Sequence, residues 1–243
     1  MVILKNALTG LANTIFPSRC VICGIVLYNN EKIRICSECL SRISFVKTPI
    51  CSCCGLPFVN YEGTDHLCGE CVSSKQYFSV VRSVGEFKQP LMDAIHRFKY
   101  KGEISVGETL GRLMAGFEYN SFSLEGYSLI LPVPLHQRRL KERGFNQSVI
   151  LAREIASRYS IGLDFRTLKR TIHTKPQTGL GKKQRSTNVK GSFIVTDREK
   201  IDGERVVLID DVYTTGSTVR ECARILIKNG VEEVAVLTLA RAV

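Results

Sequence analysis

Nine of the chain's ten cysteines fall between Cys20 and Cys71, and their spacing is that of a metal-binding repeat. Cys20-x2-Cys23-Gly24 is followed by Cys36-Ser-Glu-Cys39. The arrangement returns as Cys51-x2-Cys54-Gly55 and Cys68-Gly-Glu-Cys71, displaced by 31 residues for the first pair and 32 for the second. A C-x2-C knuckle presents two sulfurs to one ion, and four thiolates satisfy tetrahedral Zn2+. Glycine after the leading pair suits a knuckle in which φ turns positive. Cys20, Cys23, Cys36, Cys39, Cys51, Cys54, Cys68 and Cys71 are therefore expected to hold structural zinc, one ion or two. The repeat favours two sequential sites, one per copy, while the similar gaps between pairs also allow a cross-braced pairing. Cys53 breaks the repeat and reads as a spectator, His66 stands as an alternative ligand, and Cys222 reads as a small core residue. A segment this short has little core of its own, so metal would supply most of its folding free energy, on the order of 10 kcal/mol per site.

The second chemical cluster is Val206-Val-Leu-Ile-Asp-Asp-Val-Tyr-Thr-Thr-Gly-Ser-Thr218. Four aliphatics in a row read as a strand buried on both faces. Asp210 and Asp211 stand at its C-terminal end, and a hydroxyl-rich loop follows. Val219, Cys222, Ala223, Leu226 and Ile227 then mark a helix that closes at Asn229-Gly230. A loop feeding a helix N-terminus offers free N–H groups and the positive end of the helix dipole to an anion. Gly216 permits close backbone approach, and Thr214, Thr215, Ser217 and Thr218 add hydroxyl donors. The acidic pair would reach adjacent hydroxyls of a bound sugar, directly or through a metal. Loop and carboxylates together describe a site for a 5-phosphorylated ribose.

These residues need a frame. The chain has 243 residues, 44% apolar and 23% charged, the balance of a folded globular protein rather than a disordered one. No apolar run is long enough to span a membrane. Met1–Phe16 lacks a cleavage pattern and reads as a docked amphipathic helix with Leu4, Leu8, Leu11 and Ile15 on one face. Without secretion the cysteines stay reduced and the expected location is cytoplasmic. From about Tyr77 cysteines nearly vanish, so we expect one unit over residues 1–76, a helix plus a zinc domain with two four-cysteine sites, and another over 77–243. In the latter, strands are expected at Val80–Phe87, Leu129–Val133 and Val234–Leu239. Helices are expected at Leu91–Phe98, Val106–Tyr119 and Gln147–Tyr159, the last capped by Asn146, with a basic turn at Phe98–Gly102. Alternating strands and helices imply an α/β fold with a parallel sheet and helices on both faces.

The aliphatic strand, acidic pair and Thr-Thr-Gly-Ser-Thr loop resemble the PRPP-binding motif of type I phosphoribosyltransferases. Pro132-Val-Pro-Leu-His136, Arg139, Arg143-Gly-Phe-Asn-Gln147, Gln177-Thr-Gly-Leu180, Arg185 and Asn188 resemble the signature of the ComF family, as do the knuckles and Lys99-Tyr-Lys-Gly102. That resemblance implies a type I phosphoribosyltransferase-like sheet preceded by a zinc domain. It implies a pyrophosphate loop at Pro-Val-Pro and a flexible loop around Thr171–Asn188. It also implies PRPP or another phosphoribosyl compound as ligand and a role in DNA uptake beside a helicase-like partner. In an enzyme of this kind Asp210 and Asp211 hold the ribose hydroxyls and Thr214, Thr215, Gly216, Ser217 and Thr218 the 5-phosphate. Mg2+ accompanies PRPP, and Lys99, Lys101, Arg139 and Arg143 meet the pyrophosphate. A binding module for PRPP and single-stranded DNA, with Phe145, Tyr159 and Phe165 stacking bases, is one alternative to an enzyme. A salvage phosphoribosyltransferase acting on a nucleobase or amine, with a structural zinc appendage, is another reading.

The charge narrows where an anion would bind. The chain's formal net charge is +11, and residues 136–190 hold fourteen Lys and Arg against three Asp and Glu, so they carry all of it. Such confinement marks an anion-facing surface rather than a solvated face in general. It is more charge than one pyrophosphate needs, which keeps single-stranded DNA among the expected partners.

Overall fold

The structure is a computed structural model, and it describes residues 17–28, 32–58, 63–173 and 189–243. The helix expected over Met1–Phe16 lies outside those residues, as does most of the loop expected over Thr171–Asn188, with Gln177, Arg185 and Asn188. Two five-residue helices, α1 (Ser37–Ser41) and α2 (Gly69–Ser73), each start directly after the third cysteine of a repeat. Then follow β1 (Val80–Glu86), α3 (Leu91–Lys101), α4 (Ile104–Gly116), β2 (Leu129–Pro132), α5 (Gln137–Arg143), α6 (Gln147–Tyr159) and β3 (Gly162–Leu163). The chain closes with β4 (Leu168–Arg170), β5 (Phe193–Val195), β6 (Arg205–Tyr213), α7 (Ser217–Lys228) and β7 (Glu233–Arg241).

Most elements fall where the periodicity puts them. Asn146 caps α6 as expected, accepting from the Ser148 N–H at 3.0 Å. The basic stretch after Phe98 is a correction. Lys99, Tyr100 and Lys101 form the last turn of α3, because fully buried Phe98 holds that turn on the core and only Gly102, at φ +67°, stops it. The antiparallel β4–β5 pair is an addition, since three-residue strands carry almost no period to read.

The main sheet has the order β1-β7-β6-β2-β3, with every pairing parallel. Alternate residues of its strands feed two cores. Val207, Ile209, Ala235 and Leu237 pack beneath α3, α4 and α6. Val206, Leu208, Val234 and Val236 pack against α7 and the β4–β5 pair. A strand buried on both faces must be aliphatic throughout, which is why β6 and β7 read as uninterrupted apolar runs.

This topology makes a crevice. β2 and β6 are neighbours, yet the chain leaves β2 for the α6 face and leaves β6 for the α7 face. Their carboxyl ends therefore diverge, and ligands of open α/β sheets bind at such a switch point.

The cysteine repeats are built into the same body. Cys20, Val21 and Cys39 belong to the core beneath α3 and α4. The Arg97 guanidinium of α3 donates to the Val21 carbonyl at 2.6 Å, and Arg34 donates to the Ser105 carbonyl at 2.9 Å. The second repeat abuts the start of β1, where the Val81 N–H donates to the Cys53 carbonyl at 2.7 Å. Gly55, at φ +69°, lies so close that a Cβ there would stand 2.5 Å from the Val81 oxygen.

Candidate functional site

The eight repeat cysteines gather into two groups, Cys20, Cys23, Cys36, Cys39 and Cys51, Cys54, Cys68, Cys71, each with its sulfurs within 4.8 Å of one another. The pairing is sequential, one group per repeat, and not cross-braced. A tetrahedron with Zn–S bonds of about 2.3 Å has edges of about 3.8 Å. Cys23–Cys36 and Cys54–Cys68 are both 3.7 Å apart, so the donor set fits zinc. The two groups also share a hydrogen-bond pattern: the Cys36 N–H donates to the Cys20 sulfur and the Cys68 N–H to the Cys51 sulfur, each at 3.3 Å. Burial opposes charge on Cys20 and Cys51, but surrounding backbone N–H groups outweigh it and bring the thiols down to about 6 and about 7. His66 is no part of the second group; its ring stacks on Phe58, 4.0 Å between centroids. Cys222 is fully buried, as expected.

The second cluster of sequence residues meets at the switch point. A cavity of about 370 Å³ is lined by Asp210, Asp211, Thr214, Gly216, Ser217 and Thr218 from the end of β6 and the start of α7. Lys99 of α3 lines it too, with Arg139 and Arg143 of α5. Residues more than a hundred positions apart thus converge. Two expected contributors lie elsewhere: Lys101 is exposed outside this lining, and Thr215 lines a neighbouring cavity beside the second cysteine group.

Each side chain has a holder. Gly216 is the cap residue before α7 at φ +70°, and a Cβ there would stand 2.3 Å from the Tyr213 hydroxyl. The position is therefore closed to other residues for two reasons, backbone and space. The Ser217 N–H donates to the Thr215 hydroxyl at 3.4 Å, and the two hydroxyls lie 2.8 Å apart. Asn146 donates to the Val133 carbonyl at 3.0 Å while capping α6, which ties that helix to the end of β2. Ser148 then donates to the Asp210 Oδ1 at 3.1 Å, and the Asp211 N–H donates to the same oxygen at 2.9 Å.

The acidic pair is electrostatically uneven. Asp211 holds an ion pair with Lys99, Nζ to Oδ2 2.8 Å. Asp210 is pushed up to about 7, by burial first and by the neighbouring Asp211 charge second, against the pull of Lys99 and its hydrogen bonds. Burial also lowers Arg143 and Arg170, whose guanidinium groups line the cavity.

The structure adds residues that sequence reasoning misses. Phe87, His96, Tyr100, Arg170 and Tyr213 line the cavity as well. Tyr100 lies within the Lys99-Tyr-Lys-Gly102 stretch, and only its helical setting turns it toward the cavity. Arg170 and Phe87 stand at strand ends in distant parts of the chain and carry no local signal. Other residues turn out to have structural partners. His136 caps α5, accepting from the Arg138 N–H at 3.2 Å. Phe145 stacks on Phe98 at 5.4 Å, and Tyr159 donates to the Ala115 carbonyl at 3.0 Å.

The second cysteine group adjoins the Tyr213–Thr215 side of this cavity. Arg241, at the end of β7, donates to the Cys54 carbonyl at 2.5 Å and stands over the Tyr213 ring at 5.2 Å. Arg220 of α7 donates to Glu70 at 3.2 Å and to Gln76 at 3.0 Å. The knuckle, the Tyr213 ring and the Gly216 turn are thus stacked in series.

Comparison with known proteins accords with both halves. The family model of a double zinc ribbon domain matches residues 11–72, and that of a phosphoribosyl transferase domain matches residues 146–242. The chain is 34% identical to Competence protein F of Haemophilus influenzae, over 93% of this chain and 98% of that protein. It is 33% identical to the DNA utilization protein YhgH of Escherichia coli K12, over 93% and 97%. It is 25% identical to Competence protein ComFC of Bacillus subtilis, over 81% and 79%.

Proposed function

The chain belongs to the ComF family of competence and DNA-utilisation proteins, and from that premise we propose that its switch-point cavity binds PRPP or a related 5-phosphoribosyl compound. One observation carries the reading: the acidic pair, the Gly216 turn at the head of α7 and the cations of α3 and α5 line a single cavity. The turn's N–H groups and hydroxyls hold the 5-phosphate. Asp210 and Asp211 accept from the ribose hydroxyls. Lys99, Arg139 and Arg143 meet the pyrophosphate, and Arg170 stands beside them.

If the chain transfers the phosphoribosyl group, the C1–O bond to pyrophosphate breaks and a bond from C1 to a nitrogen nucleophile forms. Charge develops as in an oxocarbenium ion, so the protein's part is orientation and electrostatic support. Mg2+, bound by pyrophosphate oxygens, would neutralise the leaving group. Two carboxylates, one already paired with Lys99, suit a cation that arrives on the ligand rather than a resident one.

We extend the proposal to single-stranded DNA, because the whole excess charge lies in residues 136–190 and α5 displays Arg138 and Lys141 outside the cavity. A competence role beside a helicase-like partner and a cytoplasmic location, in keeping with ten cysteines that form no disulfide, belong to the same proposal. A division near residue 76 is supported by the ribbon match ending at 72 and the sheet starting at Val80.

Calorimetric titration with ribose 5-phosphate and with PRPP plus Mg2+ tests the site. The expected result is binding of both, stronger for PRPP, and weakened about tenfold or more in Asp211→Asn through loss of a charge-assisted hydrogen bond. Failure of both ligands to bind overturns the reading. Pyrophosphate release from PRPP across a panel of nucleobases and amines decides between enzyme and binding module.

A further inference from the structure

Ser148 is a buried hydroxyl whose partner stands in the cavity wall. It is the second residue of α6 and is 4% exposed. A serine within a helix commonly turns its hydroxyl back onto the carbonyl four residues earlier. Here that residue is Gly144, which lies outside α6 as the cap of α5, at φ +81°. The Ser148 hydroxyl leaves its own helix instead and donates to the Asp210 Oδ1, 62 positions away.

Donor and acceptor are fixed to one frame. The Ser148 N–H donates to Asn146, and the Asn146 amide donates to the Val133 carbonyl at 3.0 Å. The Val133 N–H in turn donates to the carbonyl of Ile209, the residue before Asp210, at 2.9 Å. The circuit from Asp210 through Ser148, Asn146 and Val133 back to Ile209 is closed, so α6 cannot shift against β6 without breaking a hydrogen bond.

The two oxygens of Asp210 are consequently unequal. Oδ1 accepts from Ser148 and from the Asp211 N–H, which occupies both of its lone pairs. Oδ2 has no hydrogen-bond partner among the described residues, and Asp210 lines the cavity. Rotation about χ2 of an aspartate is broad and roughly two-fold, so a single donor leaves the carboxyl loosely held. With two donors on Oδ1, Oδ2 is the oxygen presented to a ligand.

We propose that Ser148 is a positioning residue for the sugar: it locks the Asp210 carboxyl with Oδ2 toward the cavity, so that the ribose hydroxyls meet a fixed oxygen. The proposal rests on the phosphoribosyl reading above and adds to it a residue that touches no ligand. The 5-phosphate, held at the Gly216 turn, does not depend on Ser148. The two parts of one ligand therefore respond differently to its loss.

Calorimetry with ribose 5-phosphate and with inorganic phosphate, on the parent, Ser148→Ala and Ser148→Thr, tests it. The parent should bind ribose 5-phosphate more tightly than phosphate. Ser148→Ala should weaken ribose 5-phosphate about threefold to tenfold, the contribution of one hydrogen bond, and leave phosphate unchanged. Ser148→Thr keeps the hydroxyl and should hold the parent's ratio of the two affinities. Should Ser148→Ala not fold, Ser148→Cys keeps the size with a weaker donor and should show the same split. An unchanged ratio in these hydroxyl-deleted variants, whether both affinities fall or neither does, overturns the proposal, because a general tie between helix and sheet would act on both ligands alike. A ratio lost equally in Ser148→Thr, or a parent ratio near one, overturns it too and leaves the phosphate site standing. Failure of both ligands to bind the parent overturns the phosphoribosyl reading and the positioning role with it.

Discussion

Asp210 and Asp211 are neighbours in sequence with unequal surroundings. Asp211 has Lys99 at 2.8 Å, whereas Asp210 is enclosed beside that charge and carries a proton up to about pH 7. Between the ordinary value of 3.8 and about 7, the folded ligand-free chain keeps a proton that the unfolded chain has released. Its stability therefore falls as pH rises through that window and is lowest above it, the sign expected for an acid whose pKa folding raises. Asp210→Asn removes the titration and keeps an oxygen for Ser148 and the Asp211 N–H. It should gain stability over the parent on going from about pH 5 to about pH 8. Urea midpoints at both values check this, and a difference that stays constant across them would sink it.

At the scale of elements, the turn between β6 and α7 and the knuckle behind it act as one unit. Gly216→Ala must either shift Tyr213 or give up the left-handed conformation. It should cost about 1–2 kcal/mol in a urea titration, from the backbone alone, and weaken ribose 5-phosphate by more than tenfold. Normal affinity in this variant would show that the turn does not hold the phosphate. The metal prediction belongs here too. The reduced chain should carry two zinc ions, and Cys51→Ser should carry one. Because the Cys54 carbonyl anchors Arg241 against Tyr213, Cys51→Ser should also weaken ribose 5-phosphate, about threefold to tenfold. Metal analysis and calorimetry on one preparation read both effects. One zinc in the parent would refute the two-site pairing.

At the scale of the whole molecule, the zinc ribbons and the sheet share buried surface. Cys20 and Cys39 sit in the same core as Ile209 and Leu237, and the second ribbon is hydrogen-bonded to β1. Among the described residues no helix is long and apolar enough to cross a membrane. The basic segment is the broad feature left for a polymeric anion. Arg138→Glu with Lys141→Glu should weaken single-strand binding and lower the slope of log affinity against log salt by about 0.7 for each phosphate no longer neutralised. Filter binding across a salt series measures it, and an unchanged slope would remove α5 from the interface.

The chain's local patterns determined a good deal without help. Cysteine spacing settled which eight sulfurs could bind metal, because a C-x2-C knuckle needs only adjacent residues. The aliphatic run before Asp210 and the small residues after it settled the strand, the Gly216 turn and the helix that follows for the same reason. Only the tertiary structure decided that the thiolates pair within each repeat. It alone showed that Lys99 reaches Asp211, that Lys101 points elsewhere, and that Phe87, His96 and Tyr100 wall the same cavity. These depend on strand order and helix rotation, which bring residues such as Lys99 and Asp211 together across more than a hundred positions. No local periodicity records such a distance, because it is set by how the two faces of the sheet are covered.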